Sequence, residues 1–425
     1  MDDERKVPGG RFGRLARLAA MGARAGAGML VDRDGSSTAK SAAEVLGTLR
    51  GLAAKVGQMA SYVDGIVPEA HREAYETSMK ALRASAPKSS PASIRAAVEE
   101  ELGAPIDRLF ARWDEVPIAS ASIGQVHGAQ TPDGLEVAVK VQHPGITQAI
   151  ESDLANAGIL EGFVGVLGGK RLESNKMFDV IRTRFREELD YELEATRLKQ
   201  FHALHAGDPT VKIPTFVASH SGKCVLTTEL VRGLDFDEAC ARSADERRAW
   251  AHTMWRFVFK GTLVGGMLNA DPHPGNYIFH DGGAVTFLDY GCIQGMDESR
   301  RTRARAVHFA ALAGDEARFR RAVADMVSSK PGPLEDAALD YTRKCFEPLF
   351  ASPHRIERPY AASLVTGMKE MSLVARKAKD HEFFTMPPDM LFVNRLQFGF
   401  YSVLARLDVE GDYAAVEREF LGATA

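Results

Sequence analysis

Alternating apolar and polar residues predict a small group of β-strands in the first half of the chain. The pattern is typical of strands over 119–130 and 135–142, which a Pro-Asp-Gly turn joins. Two further strands are predicted over 211–219 and 223–230, on either side of a His-Ser-Gly turn. The sequence therefore predicts a small sheet.

The remaining segments have the apolar spacing and the capping residues of helices. Ser90 is expected to cap a helix that has Pro91 at its first position and ends near Gly103. Residues 150–205 are also predicted to be helical. From Ala244 onward we expect helices, except for one hairpin.

Composition and charge exclude several classes of protein. The chain has 425 residues, of which 45% are hydrophobic and 26% are charged, and its net charge is −4. This mildly acidic balance gives no electrostatic footprint for nucleic acid, so we expect no nucleic-acid partner. Four scattered cysteines without a CxxC pair indicate neither a zinc site nor a disulfide framework, and they favour a reducing compartment.

The hairpin lies between two short polar motifs. Residues 271–276 read DPHPGN, and residues 289–291 read DYG. Two short apolar strands with a Gly-rich turn separate them, so the hairpin should bring Asp289 beside Asn276. Asp271 and Asn276 are five residues apart, which is the spacing of the acidic residue and the metal-binding amide in a kinase catalytic loop. A proline-stiffened turn before an ordinary hairpin is the alternative.

A lysine on the second predicted strand could contact phosphates. Lys140 ends the sequence VAVK, which resembles the lysine strand of kinases. Its neighbours Val139 and Val141 share the opposite face of the strand. The helix predicted around 176–204 offers carboxylates at Glu188, Asp190 and Glu194, and the last two, four residues apart, should share one helix face. A solvated edge-strand lysine and a solvent-facing helix are the alternatives.

The order of these elements predicts an α+β, two-lobed, protein-kinase-like fold. Strands and one long helix come first, as in a small mixed N-lobe with an antiparallel sheet. A mostly helical C-lobe follows, and a helical extension precedes both lobes. We expect a basic N-terminal segment over 1–40, a helical extension over 41–104, the N-lobe over 105–231 and the C-lobe over 232–425.

The loop before the lysine strand departs from the kinase pattern. Kinases cover the phosphates with GxGxxG, whereas residues 119–126 read ASASIGQV and contain only Gly124. Alanine restricts φ and prevents the close backbone approach that glycine permits. We therefore expect nucleotide to sit differently, or less tightly, than in an ordinary protein kinase.

Together these motifs resemble the UbiB family of atypical kinase-like ATPases, which are AarF-domain proteins, and especially its coenzyme-Q-biosynthesis branch. The resemblance extends from Glu4 to beyond Gly291. It includes the KxGQ signature at residues 55–58 and the ExD signature at residues 188–190. Several linked signatures in the same order make the resemblance specific.

The resemblance implies a role for each motif, with ATP and Mg²⁺ as cofactors. Asp271 would be the catalytic-loop aspartate, Glu194 would pair with Lys140, and Asn276 and Asp289 would hold magnesium. The other nucleotide-binding residues implied are Ala121, Ser122 and Gly124 in the loop and the hinge to adenine, Glu229, Leu230 and Val231.

The KxGQ helix is implied to lie where a protein kinase admits its peptide substrate. Consistent with this, no APE motif and no long activation segment follow Asp289. One polar side of an amphipathic helix is the alternative interpretation of KxGQ. The gating residues implied are Lys55, Gly57, Gln58, Glu188 and Asp190.

Two positions depart from the usual family pattern without removing a ligand. Asn269 stands where histidine is commoner, and Tyr290 stands in place of phenylalanine. His273, between two prolines, is expected to brace its loop. His202 and His205 lack a nearby cysteine or acidic partner in the sequence and are not expected to bind metal.

The resemblance implies an ATPase or kinase that is accessory to isoprenoid quinone (ubiquinone-type) or lipid metabolism. Its expected partners are nucleotide, isoprenoid lipid or quinone precursors and an anionic membrane surface; the phosphoryl acceptor and the oligomeric state are left open. A small-molecule phosphotransferase is one alternative, against which KxGQ and ExD argue. A non-catalytic, nucleotide-dependent lipid-binding scaffold is the other, against which the intact polar motifs argue.

The N-terminus predicts peripheral attachment of a cytoplasmic protein. No apolar stretch reaches the roughly 18 residues of a membrane span, but residues 5–24 carry six basic side chains. Basic residues near an anionic leaflet each contribute about 1 kcal/mol. A disordered basic arm is the alternative.

Overall fold

The computed structural model describes residues 89–120, 123–154, 182–327, 331–377 and 390–422. The predicted basic segment, the KxGQ residues Lys55, Gly57 and Gln58, and the loop residues Ala121 and Ser122 lie outside these ranges. Two compact units divide the chain. Among the described residues, the first unit contains those up to Ala195 and Thr215–Leu230, and the second contains Thr196–Pro214 and those from Val231 onward.

The first unit contains both strands and helices, and helices predominate in the second. The strands are β1 (Arg112–Trp113), β2 (Ala119–Ser120), β3 (Gly124–Gln130), β4 (Glu136–Gln142), β5 (Val211–Lys212), β6 (Val225–Glu229), β7 (Met267–Asn269), β8 (Tyr277–Phe279), β9 (Val285–Phe287), β10 (Ile293–Gly295), β11 (His354–Arg355) and β12 (Glu410–Gly411). The helices are α1 (Pro91–Leu102), α2 (Ile106–Leu109), α3 (Ile146–Leu154), α4 (Tyr191–Leu204), α5 (Phe236–Cys240), α6 (Ala244–Leu263), α7 (Glu298–Leu312), α8 (Glu316–Val327), α9 (Pro333–Cys345), α10 (Glu347–Phe350), α11 (Arg358–Lys377), α12 (Met390–Leu407) and α13 (Tyr413–Leu421). No helix in these described ranges is long and apolar enough to cross a membrane.

An antiparallel sheet forms the centre of the first unit. β1 and β2 both pair with β3, β3 pairs with β4, and β4 pairs with β6. Val137, Val139 and Val141 on β4 are fully buried against Ile94 and Val98 of α1, and each such side chain contributes about 1.5–3 kcal/mol by burial. This alternation turns Lys140 to the opposite face, as the sequence predicts.

Helix α1 has the predicted boundaries. The Ser90 side chain accepts a hydrogen bond from the backbone N–H of Ser93, and Pro91 occupies the first turn. Gly103 ends the helix with φ 72°, a left-handed conformation that glycine adopts without steric cost. Local capping residues therefore determine this helix.

Two sequence expectations about secondary structure are wrong. The predicted strand 211–219 is not continuous: Val211–Lys212 pairs in parallel with β9 in the second unit, and Phe216 makes an isolated antiparallel bridge to Thr228 of β6. Residues Ala218–His220 form a 3₁₀ turn instead, because the Ser221 hydroxyl bonds back to the Val217 carbonyl. The part of the chain after residue 244 also contains the short strands β7, β10, β11 and β12 in addition to the hairpin.

Helix α6 anchors the hairpin in the second unit. Trp250 Nε1 donates to the His280 carbonyl at 2.8 Å, and Thr253 Oγ1 donates to the Gly283 carbonyl at 2.7 Å. Both acceptors lie in the turn between β8 and β9. Strand β9 also pairs with β5, which lies at the edge of this sheet. The hairpin is therefore fixed at its turn by a buried helix.

His205 is a buried imidazole that no described residue hydrogen-bonds. Its side chain is 3% exposed, and both ring nitrogens lack a partner among the described residues. The ring stacks on Phe201 and Phe257. Burial, reinforced by the nearby Lys260 charge, lowers the pKa of His205 to about 4. The imidazole is therefore neutral in the folded protein at neutral pH.

We predict that His205 makes the fold sensitive to acid. Unfolded histidine has a pKa of about 6.5, so the unfolded chain binds the proton first and stability falls as the pH drops from about 6.5 towards 4. The loss amounts to roughly 3 kcal/mol, at 1.36 kcal/mol for each unit of pKa. Urea unfolding at several pH values should show a flatter profile for His205→Phe than for wild type. The exposed His202→Phe serves as control, and equal profiles for wild type and His205→Phe would refute the prediction.

Candidate functional site

Lys140 and Glu194 form a close ion pair in the first unit. The Lys140 Nζ atom lies 2.8 Å from Oε1 and 2.9 Å from Oε2 of Glu194. The Glu194 side chain is 2% exposed, whereas that of Lys140 is 24% exposed. The ammonium also lies 4.9 Å from the centre of the Tyr191 ring, close enough for a cation–π attraction. The expected contact is present, and its role in nucleotide binding remains a prediction.

Asp190 sets the first turn of the helix that carries Glu194. Its Oδ1 accepts a hydrogen bond from the Leu193 N–H at 2.9 Å, which satisfies an otherwise unpaired amide of the first turn. The helix begins at Tyr191. The expectation that Asp190 shares a helix face with Glu194 is therefore wrong, because Asp190 precedes the helix as its cap.

The ExD segment is hydrogen-bonded to the lysine strand. Gln142, two residues after Lys140, donates through Nε2 to the Leu189 carbonyl at 2.7 Å. Glu188, the residue before Leu189, is buried. The segment between Glu188 and Asp190 is thus held against β4. The gating role assigned to these two carboxylates remains a prediction.

Gly124 permits the close approach of β3 to its surroundings. A Cβ atom at this position would lie 2.5 Å from the Val141 carbonyl oxygen and 2.9 Å from the Tyr191 hydroxyl oxygen. Any side chain would therefore push β3 away from β4. Packing explains why glycine is needed here, and a contact between Gly124 and nucleotide remains a prediction.

Glu229 and Leu230 of the predicted hinge make hydrogen bonds within the sheet. The Leu230 N–H donates to the Glu136 carbonyl at 3.0 Å. The Glu229 carboxylate accepts a hydrogen bond from the Thr215 hydroxyl at 3.0 Å. Val231 belongs to the second unit. Adenine recognition by this segment remains a prediction.

The 271–276 loop is braced by its own side chains in the second unit. His273 Nδ1 accepts a hydrogen bond from the Gly275 N–H at 2.9 Å, so the bracing role expected for His273 is confirmed. Asn276 Nδ2 donates to the Asp271 carbonyl at 3.2 Å. The loop therefore closes on itself between its first and last residues.

The hairpin brings Asp289 beside Asn276, as predicted. Tyr277 pairs with Phe287 across the two strands, and the Leu288 N–H donates to the Asn276 carbonyl at 3.0 Å. The Asp289 carboxylate accepts a hydrogen bond from the Gly291 N–H through Oδ1 at 2.8 Å. Asp289 therefore directly follows Leu288, which is hydrogen-bonded to Asn276.

A small cleft within the second unit is lined by the polar side chains Asn269, Asp271, Asn276 and Asp289. Burial raises the pKa of Tyr277 well above its usual value, with a further contribution from the Asp271 charge, so its phenol stays neutral. The other residues that line the cleft are Phe257, Val258, Pro272, Tyr277, Phe287 and Leu288.

The donor atoms in this cleft suit a magnesium ion that is shared with phosphates. The Asn276 amide nitrogen donates to the Asp271 carbonyl, so Asn276 would bind a cation through its Oδ1 atom. Asp289 accepts from the Gly291 N–H through Oδ1, so it would bind a cation through Oδ2. Oxygen ligands are those that Mg²⁺ prefers, and one or two carboxylates suffice when phosphates complete the shell. Among the described residues, no group of three or more His, Cys, Asp or Glu could hold a metal by itself.

Sequence reasoning missed two contacts that fix the DYG segment. Arg197 Nη1 donates to the Gly291 carbonyl at 2.9 Å, and the Tyr290 hydroxyl donates to the Phe287 carbonyl at 2.8 Å. The Tyr290 ring also packs against Phe201 at 5.3 Å between centroids. Arg197 and Gly291 are 94 residues apart, so no local pattern could have indicated their contact.

The ABC1 atypical kinase-like domain matches residues 81–323, more than half of the chain. The chain belongs to the ABC1 atypical kinase-like family. The resemblance to UbiB proteins is thereby confirmed. A probable protein kinase UbiB of Marinobacter nauticus is 32% identical over 233 residues, which are 53% of this chain and 41% of the relative.

Eukaryotic members of the ABC1 family are similar over a comparable length. The mitochondrial atypical kinase COQ8B of Rattus norvegicus is 32% identical over 310 residues, which are 68% of this chain and 57% of the relative. The mitochondrial atypical kinase COQ8 of Saccharomyces cerevisiae is 29% identical over 245 residues, or 57% of this chain and 48% of the relative. The chain thus spans about half the length of these curated relatives.

A solved structure confirms the kinase-like α+β fold of this ABC1 family chain. The chain matches the complex of Rv3197 with erythromycin from Mycobacterium tuberculosis with a TM-score of 0.59 and 24% identity. The match covers 89% of this chain and 94% of that protein. At this identity the likeness supports the fold alone.

We predict that the Lys140 charge is needed for stability because it neutralises the buried Glu194 carboxylate. Lys140→Met should lower the free energy of unfolding by about 3 kcal/mol, the usual cost of removing one partner of a buried pair. The double variant Lys140→Met with Glu194→Leu should recover most of this loss in urea unfolding. Arg112→Met, which breaks an exposed ion pair with Glu136 on the same sheet, should change stability far less. A double variant no more stable than Lys140→Met would contradict the prediction.

Proposed function

We propose that this chain binds Mg-ATP and transfers or hydrolyses its terminal phosphoryl group, as an accessory to isoprenoid quinone or lipid metabolism. The Lys140–Glu194 ion pair is the observation that carries the proposal. A lysine paired with a buried carboxylate is fixed in direction. Kinases use such a pair to hold the nucleotide phosphates.

Each of the polar groups has a proposed role at the phosphates. Lys140 would bind phosphate oxygens, and Glu194 would keep the ammonium in place. Asn276 Oδ1 and Asp289 Oδ2 would hold magnesium, which when bound neutralises charge on the phosphates. Asp271 would accept a hydrogen bond from the attacking hydroxyl or water and take its proton. Glu229 and Val231 would supply backbone groups to adenine.

The short path after Asp289 supports an atypical kinase or ATPase over an ordinary protein kinase. β10 pairs with β7 directly after the DYG segment. Asp297 then caps α7 by accepting from the Arg300 N–H. Only seven residues separate Asp289 from Asp297, which is too few for a long substrate-binding activation segment. We propose that KxGQ, with Glu188 and Asp190, limits access of protein substrates.

The metabolic role is proposed from family likeness. Relatives of this chain carry the names COQ8 and UbiB, and the sequence motifs resemble the coenzyme-Q branch. Isoprenoid lipid or quinone precursors are therefore the proposed partners. Peripheral attachment through the basic residues 5–24 would bring the chain to an anionic membrane surface.

We predict that Mg-ATP stabilises the wild-type fold. At one hundred times Kd the gain is about 2.7 kcal/mol, measurable as a thermal shift. Asp289→Asn should abolish most of the shift, because it removes the metal-binding charge. Asp281→Asn makes the same chemical change in the exposed hairpin turn and should keep the full shift. A full shift in Asp289→Asn would mean that the metal site is assigned wrongly.

We predict that Asp271 is needed for turnover and not for binding. Asp271→Asn keeps the shape of the side chain but removes the base, so phosphate release should fall by about 10²-fold or more. The Mg-ATP thermal shift should persist. Loss of both the shift and the turnover would place Asp271 among the binding groups instead.

A further inference from the structure

Asn269 contacts both polar motifs of the second unit with one side chain. Its Nδ2 donates to the Asp289 carbonyl at 3.0 Å, and its Oδ1 accepts from the Asp271 N–H at 3.1 Å. The first contact reaches the residue proposed to hold metal. The second reaches the residue proposed to act on the attacking group. A single carboxamide therefore joins the backbones of the two motifs.

The orientation of this carboxamide follows from its partners. A backbone carbonyl only accepts and a backbone N–H only donates, so the oxygen and nitrogen of Asn269 cannot be exchanged. The residue is also fixed by its strand, because Asn269 pairs with Ile293 across β7 and β10. The next residue, Ala270, donates its N–H to the Cys292 carbonyl at 2.9 Å. The two hydrogen bonds from Asn269 to Asp271 and Asp289, which we call the clamp, therefore start from a paired strand.

Few side chains could replace this one. Leucine has a similar size but neither donor nor acceptor, and aspartate keeps the acceptor while it loses the donor. Asparagine offers both groups without a charge. Because Asn269 also lines the same cleft as Asp271 and Asp289, an added charge here would change the field at the proposed metal site.

We propose that Asn269 is a positioning residue that sets the distance between Asp271 and Asp289. This inference rests on the proposed Mg-ATP site. With Asp289 held by its carbonyl, its carboxylate is presented to magnesium in one position. With Asp271 held by its amide, its carboxylate is presented to the attacking group. The metal-binding and the proton-accepting groups are thereby aligned before nucleotide binds.

Hydrogen exchange of the nucleotide-free protein tests the clamp by itself. Asn269→Leu should speed exchange of the Asp271 amide at least tenfold, because its acceptor is lost. Asn269→Asp keeps that acceptor, so the Asp271 amide should stay protected while amides after Asp289 exchange faster. Gln294→Leu, on the neighbouring strand β10, removes a side-chain bond to the Gly295 carbonyl and serves as control. An Asp271 amide that exchanges equally in wild type and Asn269→Leu would overturn the inference.

Magnesium titration tests the positioning role. Calorimetry would measure binding of the ATP analogue AMP-PNP at increasing Mg²⁺ and in EDTA. Asn269→Leu should raise the Mg²⁺ concentration for half-maximal binding about tenfold, which corresponds to 1.4 kcal/mol, and leave the affinity in EDTA unchanged. Gln294→Leu should match wild type.

The two failures are distinguishable. Absence of AMP-PNP binding to wild type would overturn the proposed function, whatever the exchange data show. Normal wild-type binding with the same Mg²⁺ midpoint in Asn269→Leu would overturn the positioning role alone. An equal loss of affinity with Mg²⁺ and in EDTA would also overturn it, since that result indicates a general structural defect.

Discussion

A buried carboxylate that must be neutralised is the constraint on which the first unit depends. Glu194 is 2% exposed, and an unpaired charge at such a position costs several kcal/mol. Strand alternation places Lys140 on the face opposite its valine neighbours, where it pairs with Glu194. The Asp190 cap fixes the first turn of the helix that carries Glu194. The ion pair is thus a consequence of strand alternation and helix capping.

The second unit meets a different requirement, which is to hold Asp271, Asn276 and Asp289 close together in one cleft. Backbone hydrogen bonds accomplish this. The β8–β9 ladder sets Asp289 beside Asn276, α6 anchors the turn, and Asn269 joins the two motifs. Because these contacts involve the backbone, the polypeptide itself keeps the three residues in place.

Local patterns predicted most of the fold, and contacts distant in sequence account for the errors. Helix α1 and the hairpin follow from caps and turn residues, and both were correctly expected. The apolar pattern at 211–219 did not form one strand, because its first residues pair with β9 some 70 residues away, whereas Phe216 bridges to β6 and Ala218–His220 form a turn. Asp190 was misplaced because helical spacing cannot show where a helix begins. The contacts of Asn269 and Arg197 depend on tertiary placement, so the sequence could mark Asn269 as unusual without revealing its partners.

A crystal structure of the protein with Mg²⁺ and AMP-PNP would test the account most directly. It should show Lys140 Nζ in hydrogen-bond contact with phosphate oxygens while the pair with Glu194 persists. Asn276 Oδ1 and a carboxylate oxygen of Asp289 should lie about 2.0–2.1 Å from the metal ion. Nucleotide bound elsewhere, or a metal ion that contacts neither Asn276 nor Asp289, would contradict the account.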